Sequence, residues 1–210
     1  MIKVVILDLD GVIIDTEPIW FETYSKVCQE YGRNFTEELD KLVKGRSNSY
    51  QKLTAVLGIP KKHLEFTEKV KSTYKILFQQ KAKLMPGVLD LLYKLKKNYN
   101  LGLATSAYKY RVEYNLKKFP KLRLFFTAIT SGDEVTNGKP DPDIFLLTAK
   151  KLNVLPKECL VIEDAETGVA AAKAAGMKVI GLNPGHVTPQ NLSGADMVVT
   201  SLTEINPKSL

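Results

Sequence analysis

The sequence is short of the residues that build metal clusters and disulfide frameworks. Its 210 residues include two cysteines, two histidines and one tryptophan. Cys28 and Cys159 lie in apolar stretches without metal-type neighbours, which predicts buried free thiols in a reducing compartment. The sequence alone leaves a disulfide between them open, but it offers no basis for a zinc site or a disulfide-rich secreted fold.

Long apolar runs are also missing. No segment contains the roughly 20 consecutive apolar residues that cross a bilayer. Residues 2–14 are mostly apolar, but Asp8 and Asp10 interrupt them. No small-residue cleavage site follows, so this segment does not resemble a signal peptide. We therefore expect a cytoplasmic protein with no membrane partner.

Acidic residues are outnumbered by basic ones. The chain has 30 Lys and Arg against 23 Asp and Glu, which gives a formal net charge of +7. The lysines are spread along the chain rather than collected in one block, and the densest pairs stand beside apolar residues at helical spacing, a pattern typical of solvated helix faces. We therefore expect no nucleic-acid partner, although a positive field favours small anions such as phosphorylated metabolites.

What the sequence does contain is a series of short, continuous apolar runs separated by helical patterns. Continuous runs rather than alternating ones predict strands that are buried on both faces. The runs are residues 4–7, 101–104, 128–130, 160–162, 179–182 and 197–199. Helical patterns follow Pro86-Gly87 and span residues 168–175. This alternation predicts an α/β fold, a doubly wound parallel sheet with a Rossmann-like core.

One stretch breaks that rhythm. Between residues 16 and 81 the sequence shows four helical patterns, separated by glycines, and no convincing strand. The predicted helices are residues 19–31, 37–44, 49–57 and 61–80. We therefore expect a helical cap domain at residues 16–81, inserted into a catalytic core formed by residues 1–15 and 82–210.

Polar side chains stand directly after four of the predicted strands. Open α/β sheets bind ligands at the carboxyl ends of their strands, so these side chains are expected to converge. They are Asp8 and Asp10 after the first strand, Thr105 and Ser106 after the second, Lys139 in the loop after the third, and Glu163 and Asp164 after the fourth. Each group alone is typical of a surface turn, but four apt groups at four strand ends indicate a site.

This set of residues suits the transfer of a phosphoryl group. The carboxylates of Asp8 and Asp164 are hard oxygen ligands of the kind that Mg²⁺ prefers. Lys139 and the Thr105 hydroxyl could hold phosphate oxygens, which reduces the repulsion between an anionic nucleophile and an anionic phosphate. Asp8 could then attack phosphorus. Asp10 could protonate the leaving alkoxide and later activate water.

The same residues lie in four short sequence motifs. They are Asp8-Leu9-Asp10-Gly11-Val12; Leu103-Ala104-Thr105-Ser106; GKPDPDIF at residues 138–145; and Val161-Ile162-Glu163-Asp164, followed by Gly168-Val169 and residues 174–177. In this order and at this spacing the motifs resemble those of the haloacid dehalogenase superfamily, in the branch of β-phosphoglucomutase and small sugar-phosphate phosphatases.

The resemblance implies roles for the acidic residues. Asp8 is the nucleophile and a Mg²⁺ ligand. Asp10 is the general acid and base, and it binds the metal through its main-chain carbonyl. Asp164 binds Mg²⁺, and Glu163 assists either as a direct ligand or by positioning the groups that surround the metal. The implied reaction is Mg²⁺-dependent hydrolysis of small phosphate monoesters, sugar phosphates in particular, through an aspartyl-phosphate.

The remaining core residues are implied to bind phosphate. Thr105 and the Ser106 amide hold the phosphoryl group, and Lys139 bridges it to the nucleophile. The inserted helices correspond to the family's cap, for which Trp20, Arg46 and Asn48 are the candidate substrate contacts. Trp20 has an alternative role in the packing of the cap itself.

A phosphosugar mutase is the main alternative. Mutases similar to β-phosphoglucomutase carry a cap histidine and a cap arginine at places that align with Trp20 and Asn48, and here Arg46 stands two positions early. A mutase must hold a second phosphate, which arginine does well. The displaced arginine therefore favours simple hydrolysis.

Other classes of protein fit less well. A phosphorylation-switch receiver has a similar residue set, but its phosphorylated aspartate follows the third strand and it lacks a helical insertion. A catalytically inactive homologue that binds phosphate, or nucleic acid through the +7 charge, also stays open. The expected partner is a small phosphorylated metabolite, and the expected state is a monomer.

Overall fold

A computed structural model describes residues 1–44, 49–185 and 190–210 of the chain. Its strands are β1 (Val4–Leu7), β2 (Ile14–Asp15), β3 (Lys83–Leu84), β4 (Asn100–Ala104), β5 (Ala128–Thr130), β6 (Cys159–Glu163), β7 (Lys178–Leu182) and β8 (Met197–Val199). Six of them form the central sheet in the order β5-β4-β1-β6-β7-β8, and all neighbours are parallel. These six strands are the six apolar runs of the sequence, so the predicted doubly wound α/β fold is confirmed.

The register of the sheet determines which strand ends become neighbours. β1 lies at the centre, and Leu7 pairs with Leu103 on one side and with Ile162 on the other. On the far side of β4, Leu103 pairs with Ile129 of β5. The loops that follow these four strands therefore leave the sheet at the same edge, within reach of one another.

Eight helices accompany the strands in the described part of the chain. They are α1 (Glu17–Glu30), α2 (Glu37–Val43), α3 (Ser49–Val56), α4 (His63–Lys81), α5 (Val88–Leu95), α6 (Lys109–Lys118), α7 (Asp143–Lys151) and α8 (Glu166–Ala174). Side chains of α5 and α6 pack against one face of the sheet with Val5 and Leu7, and side chains of α7 and α8 pack against the other face with Val4 and Ile6. Both faces are covered, which explains why the strands are continuously apolar.

The helical insertion enters and leaves through a two-stranded ribbon. β2 and β3 are antiparallel, and Asp15 pairs with Lys83. Helices α1 to α4 lie between them and enclose a small apolar core of their own, which includes Val27, Leu53 and Phe66. This is the inserted helical cap that the sequence predicts, whereas its assigned limits, residues 16 and 81, remain a prediction.

The cap also packs directly on the core. Phe78 of α4 is fully buried in the same apolar cluster as the α6 residues Val112 and Leu116. The Tyr114 hydroxyl of α6 donates a 3.0 Å hydrogen bond to the carbonyl oxygen of Lys75. Helix α6 of the core therefore contacts α4 of the cap directly.

Two smaller expectations can be compared with the structure. Cys28 and Cys159 are both buried and free, as the sequence predicts, and burial raises the pKa of each thiol to about 11. Among the described residues, no helix combines the length and the apolar character that a membrane span needs.

Candidate active site

Residues that are far apart in the sequence meet at the carboxyl edge of the sheet. Lys139 Nζ lies 2.6 Å from Asp8 Oδ1 and 2.5 Å from Glu163 Oε1. These three side chains come from the loops and strand ends of β1, β5 and β6, and all three are buried. The fold therefore brings these three of the predicted site residues together.

Asp8 is held at both of its carboxylate oxygens. Oδ1 accepts from Lys139, and Oδ2 accepts a 2.9 Å hydrogen bond from the backbone N–H of Asp10. Burial raises the pKa of Asp8, Lys139 lowers it, and the surrounding carboxylates add to the rise, so the pKa lies well above its ordinary value. A cation placed beside Asp8 would stabilise the carboxylate form that a nucleophile requires.

Lys139 is the charged partner shared by two acids. Burial alone would lower its pKa, but the attraction of Asp8 and Glu163 outweighs burial and raises that pKa. The ammonium group also lies 4.9 Å from the centroid of the Phe145 ring. Lys139 is therefore held as a cation directly beside the Asp8 carboxylate.

Both oxygens of Glu163 are engaged by protein groups. Oε1 accepts from Lys139, and Oε2 accepts a 2.8 Å hydrogen bond from the N–H of Ala165. Gly168 leaves room for this carboxylate, because a Cβ at that position would lie 1.7 Å from Oε1. These contacts suit a role in holding Lys139 better than they suit direct ligation of a metal.

Asp164 faces the loop that carries the nucleophile. Its carboxylate packs against Gly11, where a Cβ would lie 2.2 Å from Asp164 Oδ2 and where the backbone φ of +80° favours glycine. Burial and the charge of Glu163 raise the pKa of Asp164 to about 8, although Lys44 and Lys139 oppose that rise. Asp8, Asp10 and Asp164 therefore lie close enough together for their charges to act on one another.

Thr105 and Ser106 form the turn after β4. The Thr105 N–H donates to the carbonyl oxygen of Thr130 at 3.0 Å, and its hydroxyl oxygen accepts from the Ala107 N–H at 3.1 Å. The Ser106 carbonyl packs against Gly132, where a Cβ would lie 2.4 Å from its oxygen. The turn is therefore fixed against the end of β5, while its contact with phosphate remains a prediction.

The cap contributes a lysine that the sequence analysis did not assign to the site. Lys44 follows α2, its side chain is 4% exposed, and its Nζ lies 2.5 Å from Glu17 Oε2. Its charge also acts on Asp164. A sequence signal was present, because Lys44 begins the motif-like segment KGRS. Arg46 and Asn48, the substrate contacts predicted from that region, lie outside the described residues.

Trp20 lies in the aromatic layer between cap and core. Its ring stacks on Tyr74 with centroids 4.0 Å apart and on Tyr24 at 5.7 Å. The Trp20 side chain is partly buried. It therefore packs within the cap, while its contact with substrate remains a prediction.

Arg111 is the second basic residue that the sequence analysis missed. Its Nη1 lies 2.8 Å from Asp10 Oδ2, and its guanidinium carbon lies 5.2 Å from the centroid of the Trp20 ring. Arg111 is on the core helix α6, five residues after Ser106. Only four of the 30 basic residues are arginines, and this scarcity was the one available signal.

The chain can now be compared with known proteins. A model of the haloacid dehalogenase-like hydrolase family matches residues 5–182. A Thermotoga maritima protein named phosphorylated carbohydrates phosphatase is 38% identical over 181 residues, which cover 85% of this chain and 83% of that protein. The β-phosphoglucomutase of Bacillus subtilis is 34% identical, with coverage of 97% and 91%.

A solved structure gives the same result. The β-phosphoglucomutase of Clostridium difficile superposes with a TM-score of 0.86 at 27% identity, and the match covers 100% of this chain and 95% of that one. The family match and the relatives agree with the four motifs and with the site at the strand ends. This chain belongs to the haloacid dehalogenase-like hydrolase family, among its sugar-phosphate phosphatases and β-phosphoglucomutases.

Proposed function

We propose that this phosphoric monoester hydrolase cleaves small phosphate monoesters, in particular sugar phosphates, with Mg²⁺ and through a phosphorylated Asp8. The observation that carries the proposal is the environment of Asp8. Its carboxylate is buried, accepts from Lys139 and from the Asp10 N–H, and shares the site with Asp164. A buried nucleophile beside a fixed cation is suited to attack on an anionic phosphate.

The residues present fit a magnesium ion. The pKa values of Asp8 and Asp164 are raised mainly by burial and further by neighbouring carboxylates, and a hard cation would offset both effects. Among the described residues, no three His, Cys, Asp or Glu side chains form a ready-made metal cluster. Mg²⁺ sites commonly use only one or two carboxylates, with water and substrate phosphate completing the shell.

The proposed ligands are therefore Asp8, Asp164 and the main-chain carbonyl of Asp10. Glu163 would hold Lys139 in place. When bound, Mg²⁺ would neutralise phosphate charge and lower the barrier to attack by an anion. The protein groups supply the remaining functions. Lys139 neutralises a phosphate oxygen and keeps Asp8 in place, while the turn at Thr105 and Ser106 offers a hydroxyl and a backbone amide to the phosphate.

Two steps follow from this arrangement. In the first, an Asp8 oxygen bonds to phosphorus, the ester P–O bond breaks, and the leaving alkoxide takes a proton from the Asp10 carboxylic acid. In the second, a water oxygen bonds to phosphorus while Asp10 takes a water proton. The bond from phosphorus to Asp8 then breaks, its electron pair returns to the carboxylate, and phosphate leaves.

The class of substrate is supported by the relatives. One is named a phosphatase of phosphorylated carbohydrates and another a β-phosphoglucomutase, both of which act on sugar phosphates by name. The formal net charge of +7 also favours anionic metabolites. The cytoplasmic location, the monomeric state and the absence of nucleic-acid and membrane partners remain predictions.

The test is phosphate release from p-nitrophenyl phosphate and a panel of hexose phosphates in the presence of Mg²⁺. We expect the Asp8→Asn variant to lose at least about 10⁴-fold in turnover, because the nucleophile itself is removed. Asp90→Asn is the matched control, since Asp90 forms an exposed surface ion pair with Lys94. Failure of the wild-type protein to release phosphate from any ester while it binds Mg²⁺ would refute the proposal.

A phosphosugar mutase is the second candidate function. It is favoured by the 34% identity to a β-phosphoglucomutase over 97% of the chain. Both functions share the step at Asp8 and differ in the acceptor, which is water in one case and a sugar phosphate in the other. Interconversion of glucose 1-phosphate and glucose 6-phosphate that is faster than phosphate release would select the mutase.

A further inference from the structure

Arg111 bridges the core and the cap at the side chain of Asp10. It projects from the core helix α6, and its Nη1 lies 2.8 Å from Asp10 Oδ2. The two side chains are only 16% and 18% exposed. Among the described residues, Asp10 is the one carboxylate within ion-pair distance of this arginine. A largely buried pair of this kind is more strongly coupled than one on the surface.

Two aromatic rings of the cap hold the guanidinium group. Its central carbon lies 5.2 Å from the centroid of the Trp20 ring and 5.8 Å from that of Tyr74. The two rings stack on each other at 4.0 Å. Cation–π contacts favour arginine over a neutral side chain at this place. The position of Arg111 is therefore set by the cap and by Asp10 together.

The two oxygens of the Asp10 carboxylate have different surroundings. Oδ2 faces Arg111, whereas Oδ1 is buried and has no hydrogen-bond partner among the described residues. Buried polar atoms are normally paired, so an unpaired one in native structure often marks a place where a reactant is received. The ion pair with Arg111 thus occupies Oδ2 and leaves Oδ1 available to accept a proton.

We propose that Arg111 is a positioning residue that orients Asp10 as the general base for hydrolysis of the phosphorylated Asp8. The inference rests on the function proposed above. The ion pair holds Oδ2 of Asp10 and leaves Oδ1 without a protein partner among the described residues, so it fixes which oxygen can receive the proton that water releases. Arg111 contacts neither the phosphate nor the water in this scheme, and it acts only through Asp10.

The pair acts when water hydrolyses the phosphorylated Asp8. A water oxygen bonds to the phosphorus on Asp8, and one water proton moves to Asp10 Oδ1 while Arg111 retains Oδ2. The bond from phosphorus to the Asp8 oxygen breaks, and its electron pair regenerates the Asp8 carboxylate. Without Arg111, the Asp10 side chain can rotate about its own bonds, and fewer encounters with water are productive.

The test separates the two chemical steps. With p-nitrophenyl phosphate the leaving group needs no proton donor, so the first step is largely independent of Asp10 protonation. We expect Arg111→Met to slow hydrolysis of the phosphorylated enzyme by roughly 10- to 100-fold, a range typical of lost supporting contacts. Rapid-quench measurements should then show a burst of about one p-nitrophenolate per active site, followed by slow turnover.

Matched variants sharpen the result. Arg111→Lys keeps the charge but lacks the planar fork and the stacking of arginine, so we expect a smaller burst and an intermediate rate. Arg123→Met is the control, since Arg123 forms an exposed ion pair with Glu113 outside the site, and its kinetics should match the wild type. A steady-state fraction of phosphorylated Arg111→Met no higher than that of the wild type would overturn the proposal.

A second measurement does not depend on activity. Urea unfolding of Asp10→Asn, Arg111→Met and the double variant forms a cycle that reports whether the two side chains interact in solution. We expect each single change to lower the midpoint, and the double change to lower it by less than the sum. Additive shifts would overturn the pairing. A wild-type protein without phosphatase activity would refute the proposed function, yet this cycle would still decide whether the pair exists.

Discussion

The core edge and the cap supply charged groups to the same site in different ways. At the core edge, Asp8, Glu163 and Lys139 follow strands of one sheet, and Lys139 is fixed by two carboxylates at 2.6 and 2.5 Å. On the cap side, Lys44 follows a short helix and pairs with the Glu17 carboxylate. The first lysine lies in the loop between β5 and α7 and is held by two acids that the strands place, whereas helix packing and cap position place the second.

This difference suggests that the core edge and the cap have different functions. A group on a strand end keeps its distance to its neighbours, because moving it would disrupt the sheet, and chemistry needs such fixed distances. A group on a cap helix moves with the cap, which suits substrate recognition and closure. The two buried lysines, Lys139 and Lys44, should therefore differ in whether their loss affects the chemical step or the binding of substrate.

The largest effect is expected from the lysine of the core. Lys139→Met removes the cation next to the nucleophile, and we expect kcat to fall by at least roughly 10²- to 10³-fold, as for the loss of one preorganised electrostatic donor. The measurement is steady-state kinetics with p-nitrophenyl phosphate. Lys151→Met is the control, since Lys151 forms a half-exposed ion pair with Glu134. A change confined to KM would place Lys139 among the substrate-binding groups only.

The acids of the core edge should make stability depend on pH. Between the ordinary pKa of 3.8 and a pKa of about 8, folded Asp164 holds a proton that the unfolded chain has released. The free energy of unfolding in EDTA should therefore fall as the pH rises through this window, by up to about 1.4 kcal/mol per unit. Urea unfolding at about pH 5 and about pH 7.5 measures this slope, and Mg²⁺ should reduce it.

Two variants show which group causes the pH dependence of the free energy of unfolding. Asp164→Asn should flatten it, because the buried titrating group is gone. Asp196→Asn should leave it unchanged, since the pKa of Asp196 is lowered by its contact with Lys173 and this carboxylate stays ionised throughout the window. A slope that survives Asp164→Asn undiminished would assign the pH dependence to other groups.

The smallest effect is expected from the lysine of the cap. Lys44→Met removes a charge near Asp164 but no group that touches the nucleophile. We expect kcat/KM for a sugar phosphate to fall by about tenfold or less, through KM, which is equivalent to about 1.4 kcal/mol. Lys26→Met is the control on the exposed face of α1. An effect on kcat as large as that of Lys139→Met would remove the distinction between core and cap.

The fold and the core site were largely predictable from sequence for one physical reason. Parallel strands that are buried on both faces leave continuous apolar runs, and the residue after each run must lie at the same edge of the sheet. That is why Asp8, Lys139 and Glu163 could be grouped across more than 130 intervening residues. The cap helices were also predicted, with ends that differ by at most two residues; for example, α1 begins at Glu17 because Pro18 is tolerated in a first turn.

The contacts between cap and core could not be predicted in this way. The pairing of Arg111 with Asp10 depends on how α6 packs against α4 and on which face of α6 turns inward, and neither is expressed by a local pattern. Lys44 reaches the site because of the position of α2. The ribbon of β2 and β3 was missed because each strand has only two residues, too few for a periodic signal.

That ribbon has a consequence for how such proteins can be altered. Because Asp15 and Lys83 are paired neighbours, the two ends of the 67-residue connection between them start and finish at almost the same point in space. A connection with adjacent ends can be lengthened, shortened or exchanged without stretching the sheet beneath it. The same catalytic core can therefore be combined with a different cap. A change of substrate then requires new residues only in the segment between these two short strands.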